Sequence, residues 1–322
     1  MLRLALQMLI GDRAKCIGIL VGVAFASLLI TQQASIFDGL MARSHGAIDD
    51  VGGVDLWVMD PKVQQIDDYK PMTDTTLGRV RSIDGVAWAV PLYRGQIKAR
   101  LADGTQQACI IMGLDDASLA GGPPIMADGR IEDLRRADGI LVEERGARDQ
   151  LAHPPAHPGG AKQPLAIGDS IELNDRRRVV VGICRPTRTF MWFPTIYTTY
   201  TRALEMAPPE RRNLSFVLAK VAPGGDPEAV AARITAGTGM TALTAAAFRE
   251  RTIRYVQENT GIPINFYISM TLGFIIGAII VGQTFFNFVH DHLRHLGTFK
   301  AMGTRNRTLV AMVLVQVGSA GG

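Results

Sequence analysis

The stretch Ile264–Val289, INFYISMTLGFIIGAIIVGQTFFNFV, decides the fold, because its 26 residues include no Asp, Glu, Lys or Arg. An α-helix rises about 1.5 Å per residue, so a segment of this length can cross the hydrocarbon core of a bilayer with room for tilt. Tyr267 near one end and three phenylalanines near the other suit the two membrane–water interfaces. The stretch therefore predicts a transmembrane helix, which we assign to residues 263–289.

A second apolar segment lies near the N-terminus. The 22 residues between Lys15 and Asp38, CIGILVGVAFASLLITQQASIF, carry no charge and would form about 33 Å of helix. A cleaved signal peptide is the alternative, but the basic residues before the segment are widely spread and no small-x-small cleavage site follows it. We expect an uncleaved helix, with residues 1–40 forming a short cytoplasmic segment and the first span.

The basic residues beside the two spans predict the orientation. Lysines and arginines collect on cytoplasmic flanks, and here they precede the first span and follow the second: Arg3, Arg13 and Lys15, then Arg294, Lys300, Arg305 and Arg307. Residues 41–262 would then lie outside the cytoplasm, since long loops translocate largely regardless of their charge. The sequence predicts a multi-pass protein of the plasma (inner) membrane, with the lipid bilayer as its first partner.

The composition agrees with this division. The mean hydropathy is +0.14 although 20% of the 322 residues are charged, so the apolar residues must be concentrated in a few segments. The net charge of +4 would be compatible with nucleic-acid binding. However, no basic run is interleaved with aromatic residues, so we predict no nucleic-acid partner. The densest basic cluster, Arg176–Arg178, is expected to be the solvated end of a hairpin.

The external segment reads as a mixed α+β domain. Asp103-Gly104 and Asn174-Asp175 each separate two alternating runs, which predicts two β-hairpins. Further strand-like runs and two helical patterns follow: strands at 54–59, 139–142 and 214–221, and helices at 227–235 and 245–258. We therefore expect transmembrane α-helices flanking an α+β extracytoplasmic domain.

The three cysteines do not form a disulfide framework. Cys16 starts the first apolar segment and reads as a small hydrophobic residue. Cys109 and Cys184 both fall in strand-like stretches of the external domain. An exported domain permits a bridge between them, and spacing alone leaves both the paired and the free states open.

Chemistry-bearing motifs are absent from the sequence. It contains no P-loop, no Gly-x-Ser-x-Gly elbow, no His-Glu-x-x-His and no Cys-x-x-Cys. His290, His292 and His295 do not share one helix face, which argues against a metal site. We predict no catalytic, cofactor-binding or metal-binding residue, and we expect the chain not to be an enzyme.

Small residues recur four apart in both apolar segments. Gly18 and Gly22 lie in the first, and Gly273 and Gly277 lie in the second. Such spacing lets helices approach closely in a membrane. We predict that these four glycines form helix-packing faces.

The segment 290–308 leaves the second span and carries one apolar stripe, at Leu293, Leu296, Phe299 and Met302. A plain connecting loop needs no such stripe, whereas a helix that docks a partner does. Residues 309–322 resume apolar sequence but would form only about 22 Å of helix, which we read as the truncated start of a third transmembrane helix. The chain is expected to be a fragment that cannot transport by itself.

At this segment the sequence resembles a known family. HLRHLGTFKAMGTRNR, residues 292–307, is similar to the cytoplasmic Arg-x-x-Gly-x-x-Lys-Ala-x-Gly coupling stretch of MacB/FtsX-type ABC transporter permeases. The order of helix, large external domain, helix and coupling helix matches that family, whose external part is the MacB-like periplasmic core domain. FMWFPTIYTTYTRALE, residues 190–205, looks like the external domain of DevC-like exporter permeases.

The resemblance implies the membrane subunit of an ABC-type exporter that works as a homodimer with a separate cytoplasmic ATPase. That ATPase would bind the ATP, so the chain itself would need no cofactor. The motion of the ATPase would be transmitted through the long helices to the outer domains. No channel through the spans would be needed. The residues that would dock the ATPase are Leu296, Gly297, Lys300, Ala301 and Gly303.

A DevC-like permease would also imply a membrane-fusion adaptor, an outer-membrane duct and a lipid-like or amphiphilic substrate. Two alternatives remain open at this point. One is an FtsX-like regulator of an extracytoplasmic hydrolase. The other is a two-span sensor receptor, which the short cytoplasmic segment disfavours.

Overall fold

The computed structural model describes residues 13–155, 157, 160–188, 190–291 and 293–303. The chain divides into two compact units. One comprises residues 40–260, and the other comprises the chain up to residue 39 together with the chain from residue 261. The expected third span, residues 309–322, lies outside the described residues.

The described α-helices are α1 (Arg13–Asp49), α2 (Thr75–Arg81), α3 (Glu144–Arg148), α4 (Tyr200–Met206), α5 (Pro227–Thr238), α6 (Ala245–Asn259), α7 (Ile262–Asp291) and α8 (Leu293–Ala301). The strands are β1 (Leu56–Met59), β2 (Val86–Arg100), β3 (Gln106–Leu114), β4 (Met126–Gly129), β5 (Gly139–Glu143), β6 (Ser170–Leu173), β7 (Arg176–Cys184), β8 (Thr195–Thr199), β9 (Phe216–Val221) and β10 (Thr241–Thr244). Short 3₁₀ turns occupy Ile131–Arg135 and Pro209–Arg211.

Two of these helices, α1 over Leu20–Asp49 and α7 over Ile262–Gln283, are long and apolar enough to cross a membrane. Both apolar segments are therefore helical, as their lack of charge predicts. Helix α1 does not stop at residue 40, where the first span was expected to end. It continues without a break to Asp49, so the same helix enters the compact domain of residues 40–260.

The strands of the domain form one mixed sheet in the order β10-β1-β9-β2-β3-β8-β5-β7-β4, with β6 paired to β2 and β7. The long strand β2 joins its two halves, since it pairs with β9 over Val86–Leu92 and with β3 over Tyr93–Arg100. Parallel pairing joins β3 to β8 and β5 to β7. The α+β prediction for the domain is confirmed.

Both hairpins are confirmed. In the first, β2 and β3 run antiparallel around Gly104, which has a φ of +82°, and Asp103 Oδ1 accepts a hydrogen bond from the Thr105 backbone N–H at 2.9 Å. In the second, β6 and β7 meet at Asn174 and Asp175, whose φ angles are +45° and +61°. A two-residue turn with positive φ at both positions matches the twist of its strands.

Three hydrophobic clusters hold the domain together. Trp57, Phe216 and Phe248 form an aromatic centre with ring centroids 5.4–6.0 Å apart in one cluster. A second cluster lies around Tyr93 and α4, and a third packs α5 against β1 and β9. Burial of these side chains is the main stabilising contribution of the domain.

The structure corrects the expectation for the arginine cluster. Arg176 and Arg177 are exposed, but Arg178 is 4% exposed and forms ion pairs with Asp138 and, at 3.0 Å, with Glu205. Arg176 and Arg178 lie on the same face of β7, but Arg176 is at the end of the hairpin, whereas Arg178 is two residues further along the strand and is buried. Two carboxylates from other elements compensate its buried charge.

The cysteines of the domain are free. Cys109 in β3 and Cys184 in β7 are both buried and unpaired, and they belong to different hydrophobic clusters. The two cysteines therefore form no disulfide bond with each other. Burial raises the pKa of the Cys109 thiol to about 12, which keeps it protonated and unreactive.

Candidate functional site

The segment predicted to dock a partner forms α8, Leu293–Ala301. Gly297, Lys300 and Ala301 lie on it and are exposed, and Gly303 follows it with a φ of +91°. The Gly303 backbone N–H donates to the Lys300 carbonyl at 3.0 Å, which closes the helix. Leu296 is also helical, but its side chain lies outside the described part.

The two glycines of this segment have open surroundings. A Cβ placed at Gly297 or Gly303 would have no described atom within 4 Å. Among the described residues, nothing occupies the space beside these two glycines, which would let a backbone approach α8 closely there. Partner docking at these positions stays a prediction.

The predicted packing glycines lie where α1 and α7 approach each other. A Cβ at Gly277 would lie 2.3 Å from the Ala26 Cβ, and one at Gly22 would lie 2.7 Å from the Ile280 Cγ2. At Gly273 the nearest atom, on Leu29, would be 3.5 Å away. A side chain at Gly277 or at Gly22 would therefore push the two helices apart. Gly18 is partly exposed in α1, and its packing role stays a prediction.

The base of the domain contains a polar cluster that sequence reasoning missed. Asp49, the last residue of α1, accepts hydrogen bonds from Nε and Nη2 of Arg249 on α6 at 2.9 and 2.6 Å. It also contacts His45 Nδ1 at 2.7 Å. Both Arg249 nitrogens donate to the same oxygen, Oδ1 of Asp49, so α1 and α6 are joined by a charge-assisted ion pair.

Asp50 fastens the end of α1 to the loop between β7 and β8. Its carboxylate accepts hydrogen bonds from the Thr187 backbone N–H and from Thr187 Oγ1, both at 2.7 Å. Burial raises the pKa of Asp50 above its ordinary value, although both bonds act in the opposite direction. Gly46 permits this contact, because a Cβ there would lie 2.2 Å from Thr187 Cγ2.

Glu143 is the second buried carboxylate near this loop. It is 8% exposed and accepts a hydrogen bond from the Thr195 backbone N–H at 3.1 Å. Burial raises its pKa, and the negative charge of Asp50 adds to the rise, whereas the Thr195 bond, Arg188 and Arg145 lower it. No local sequence pattern reveals these contacts, since the partners are about 50 to 200 residues apart.

Glu143→Gln is expected to stabilise the domain at neutral pH. Because the pKa of Glu143 is higher in the folded chain than in the unfolded one, folding favours the protonated carboxyl, and stability falls as pH rises through the folded pKa. A neutral amide of the same shape removes this cost. Thermal unfolding should show the variant above the wild type at neutral pH, with the gap closing in mild acid. A gap that does not change with pH would contradict the burial of this charge.

Among the described residues no group of three His, Cys, Asp or Glu side chains is placed to hold a metal ion. His290 is exposed at the end of α7, and His292 lies outside the described residues.

Residues 16–236 match the model of the MacB-like periplasmic core domain. The matched range takes in nearly all of α1, most of the sheet and nearly all of α5. The chain belongs to the MacB/FtsX-type family of ABC transporter permeases. This membership makes it a membrane protein with an extracytoplasmic domain, in a family that is generally not enzymatic.

Several solved structures are similar to this chain at low sequence identity. The extracellular domain of the noncanonic ABC-type transporter YknZ from Gram-positive bacteria has a TM-score of 0.40 and 11% identity over 59% of this chain and 98% of its own. The periplasmic region of MacB from Actinobacillus actinomycetemcomitans has a TM-score of 0.41 and 11% identity over 66% of this chain and 96% of its own. A domain of a putative permease protein from Porphyromonas gingivalis has a TM-score of 0.33 and 14% identity over 59% of this chain and 86% of its own. No curated protein sequence matches the chain.

Proposed function

We propose that the chain is the permease subunit of an ABC-type exporter, which couples ATP hydrolysis by a separate cytoplasmic ATPase to movement of the extracytoplasmic domain. The observation that carries this proposal is the family match over residues 16–236, together with a coupling motif at residues 294–303 that lies outside the matched range. The MacB and YknZ relatives are transporter proteins, which supports an ATPase as partner.

The helices suggest how movement reaches the domain. Helix α8 docks the ATPase, and α7, with 30 residues, is about 45 Å long. Helix α1 enters the domain without a break, so displacement along it is passed on rigidly. Between α6 and α7 the chain is extended at Thr260, with φ −118° and ψ 151°, and continues through Gly261. In this proposal the break acts as a hinge, and the Asp49–Arg249 ion pair holds α1 and α6 together within the domain.

The finer assignment rests on the DevC-like stretch at residues 190–205. In this proposal two copies of the chain act together with a membrane-fusion adaptor and an outer-membrane duct. The cargo is a lipid-like or amphiphilic molecule, and it passes outside the spans rather than through a channel between them.

The proposal requires that the domain and α8 face opposite sides of the membrane. Ala102 and Ala301 are both exposed, so an Ala→Cys change at either position creates an accessible thiol. In a chain with Cys16 replaced by Ser, an impermeant thiol reagent should label the Ala102→Cys variant in intact spheroplasts. The Ala301→Cys variant should be labelled only after the membrane is opened.

The remaining native thiols are a low background in this experiment, because Cys109 and Cys184 are buried. Labelling of the Ala301→Cys variant in intact spheroplasts would contradict the proposed coupling. Labelling of neither variant before opening, and of both afterwards, would contradict the external placement of the domain.

A further inference from the structure

The loop between β7 and β8 exposes two large apolar side chains, Met191 (60%) and Trp192 (52%). Trp192 has a φ of +61°, a left-handed conformation that a bulky residue rarely adopts and that tends to occur at functional sites. Gln150 holds this backbone in place, since its Nε2 donates a hydrogen bond to the Trp192 carbonyl at 2.9 Å. An unfavourable backbone thus keeps an apolar ring in contact with water, although burial of the ring would be favourable.

Two arginines lie beside this indole. The guanidinium carbons of Arg43, on α1, and Arg188 lie 4.7 and 5.9 Å from the ring centroid, within the range of a cation–π contact. Both arginines and the loop belong to the same compact unit, residues 40–260. Among the described residues, neither guanidinium forms an ion pair with a carboxylate. The loop therefore presents an apolar tip with two positive charges next to it.

The carboxylates of this region have other partners. A small cavity of about 130 Å³ beside Trp192 is lined in part by Glu143, Asp149 and Arg188. Asp149 pairs with Arg145 at 3.3 Å, and Glu143 accepts a hydrogen bond from a backbone N–H of β8 at 3.1 Å. Arg188 attracts Glu143 only over a longer distance. These two carboxylates make the cavity itself unsuitable for an anion, whereas the exposed part of the indole has cations beside it and no carboxylate paired with them.

The size of the apolar tip indicates what it binds. A stable protein–protein interface buries roughly 800 Å² on each partner, and two side chains supply only a small part of that area. The other large apolar side chains that are exposed in the described part of the domain lie on different segments, at Trp88, Ile125 and Ile167. An apolar contact this small suits a hydrocarbon chain, and guanidinium groups match the geometry of phosphate and carboxylate. The tip therefore complements a molecule with an apolar chain and an anionic head.

We propose that this loop is a binding site for an anionic amphiphile. The apolar chain packs against Met191 and the indole of Trp192, and the head lies at the guanidinium groups of Arg43 and Arg188. The site deepens the proposed function, because it assigns a negative charge to the cargo. Only the identification of the ligand as cargo rests on that function, and binding itself does not.

The test titrates the full chain, in phosphatidylcholine nanodiscs, with dihexanoyl phosphatidate, a short-chain anionic amphiphile. Tryptophan fluorescence reports binding. The sequence has three tryptophans, of which Trp57 is fully buried and Trp88 is 39% exposed on β2. A saturable change should occur in the wild type and in the matched control Trp88→Phe, and it should disappear in Trp192→Phe. Dihexanoyl phosphatidylcholine, which has the same chains without net charge, and glycerol phosphate, which has the head alone, should each bind about tenfold more weakly or less.

Charge and chain contacts can be separated by substitution. The double variant Arg43→Gln and Arg188→Gln should weaken phosphatidate binding by about tenfold or more and leave phosphatidylcholine binding unchanged. The matched control Arg100→Gln and Arg177→Gln removes the same charge at two exposed positions and should bind phosphatidate as the wild type does. Met191→Ser changes an exposed side chain, so it should leave the fold intact while it weakens binding of both lipids.

A wild type without a saturable response to phosphatidate would overturn the proposal, and this is the result expected if the loop binds a protein instead. So would a response that persists in Trp192→Phe or that the double glutamine variant leaves unchanged. Equal affinity for glycerol phosphate would show a simple anion site and would also contradict an amphiphile. The titration needs neither the ATPase nor transport, so its failure is distinct from a loss of ATPase co-purification, which would count against the proposed function.

Discussion

Gly297→Trp is expected to abolish binding of the cytoplasmic ATPase while the chain itself still folds. A Cβ at position 297 meets no described atom within 4 Å, and tryptophan is a better helix former than glycine. The added ring therefore costs the isolated chain little. A partner that packs closely against α8 would instead meet a large side chain where it needs open space, so complex formation should be lost. Co-purification of the ATPase with the solubilised chain measures this effect.

Two controls distinguish docking from general damage. Gly282→Trp makes the same change on α7, where a Cβ also has open surroundings, and it should leave the yield of ATPase unchanged. Lys300→Glu on α8 should reduce ATPase recovery, whereas Lys62→Glu, the same charge reversal at an exposed position of the domain, should not. Wild-type recovery with both Gly297→Trp and Lys300→Glu would show that α8 is only a connector.

Gly46→Leu is expected to destabilise the base of the domain by about 2–4 kcal/mol, since overpacking and lost hydrogen bonds to a carboxylate act together. A Cβ at position 46 would lie 2.2 Å from Thr187 Cγ2 and 2.7 Å from Thr187 Cβ. Thr187 can make room only by moving away from Asp50, which breaks both of the hydrogen bonds that fasten α1 to the loop. For a domain of this size the melting temperature should fall by roughly 5–15 °C.

Gly39→Leu is the matched control for this experiment. It makes the same change seven residues earlier in α1, where a Cβ has no described atom within 4 Å. Leucine has a higher helix propensity than glycine, so this variant should be as stable as the wild type or more stable by about 0.5–1 kcal/mol. Equal melting temperatures for both variants in detergent would contradict the close contact between α1 and Thr187.

The elements that could be predicted from the sequence are those with a local cause. The two apolar helices follow from long runs without charge, and the hairpins follow from turn residues that tolerate positive φ. Helix α5 was also predicted, because residues 227–235 follow a helical pattern. The structure shows the Asp226 side chain accepting a hydrogen bond from the Glu228 backbone N–H, as an N-cap does.

The polar cluster at the base of the domain could not be predicted in the same way. Asp49 and Arg249 are separated by 200 residues, and Asp50 and Thr187 by 137. Nothing near any of these residues distinguishes it from an ordinary surface charge or hydroxyl. Arg178 was misplaced for a related reason, since its neighbours Arg176 and Arg177 are exposed and only the packing of β7 against distant elements buries the third arginine.

The sequence by itself determined how many apolar helices the described residues contain and where they lie. It also determined the α+β character of the domain and the family resemblance. These depend on hydropathy, turn residues and short motifs, which act over a few residues to a few tens of residues. Only the tertiary structure decided the strand order, the free state of Cys109 and Cys184, and the joining of α1 to α6 by Asp49 and Arg249. Each of these depends on which distant segments lie side by side, and that is set by packing of the whole domain rather than by any local pattern.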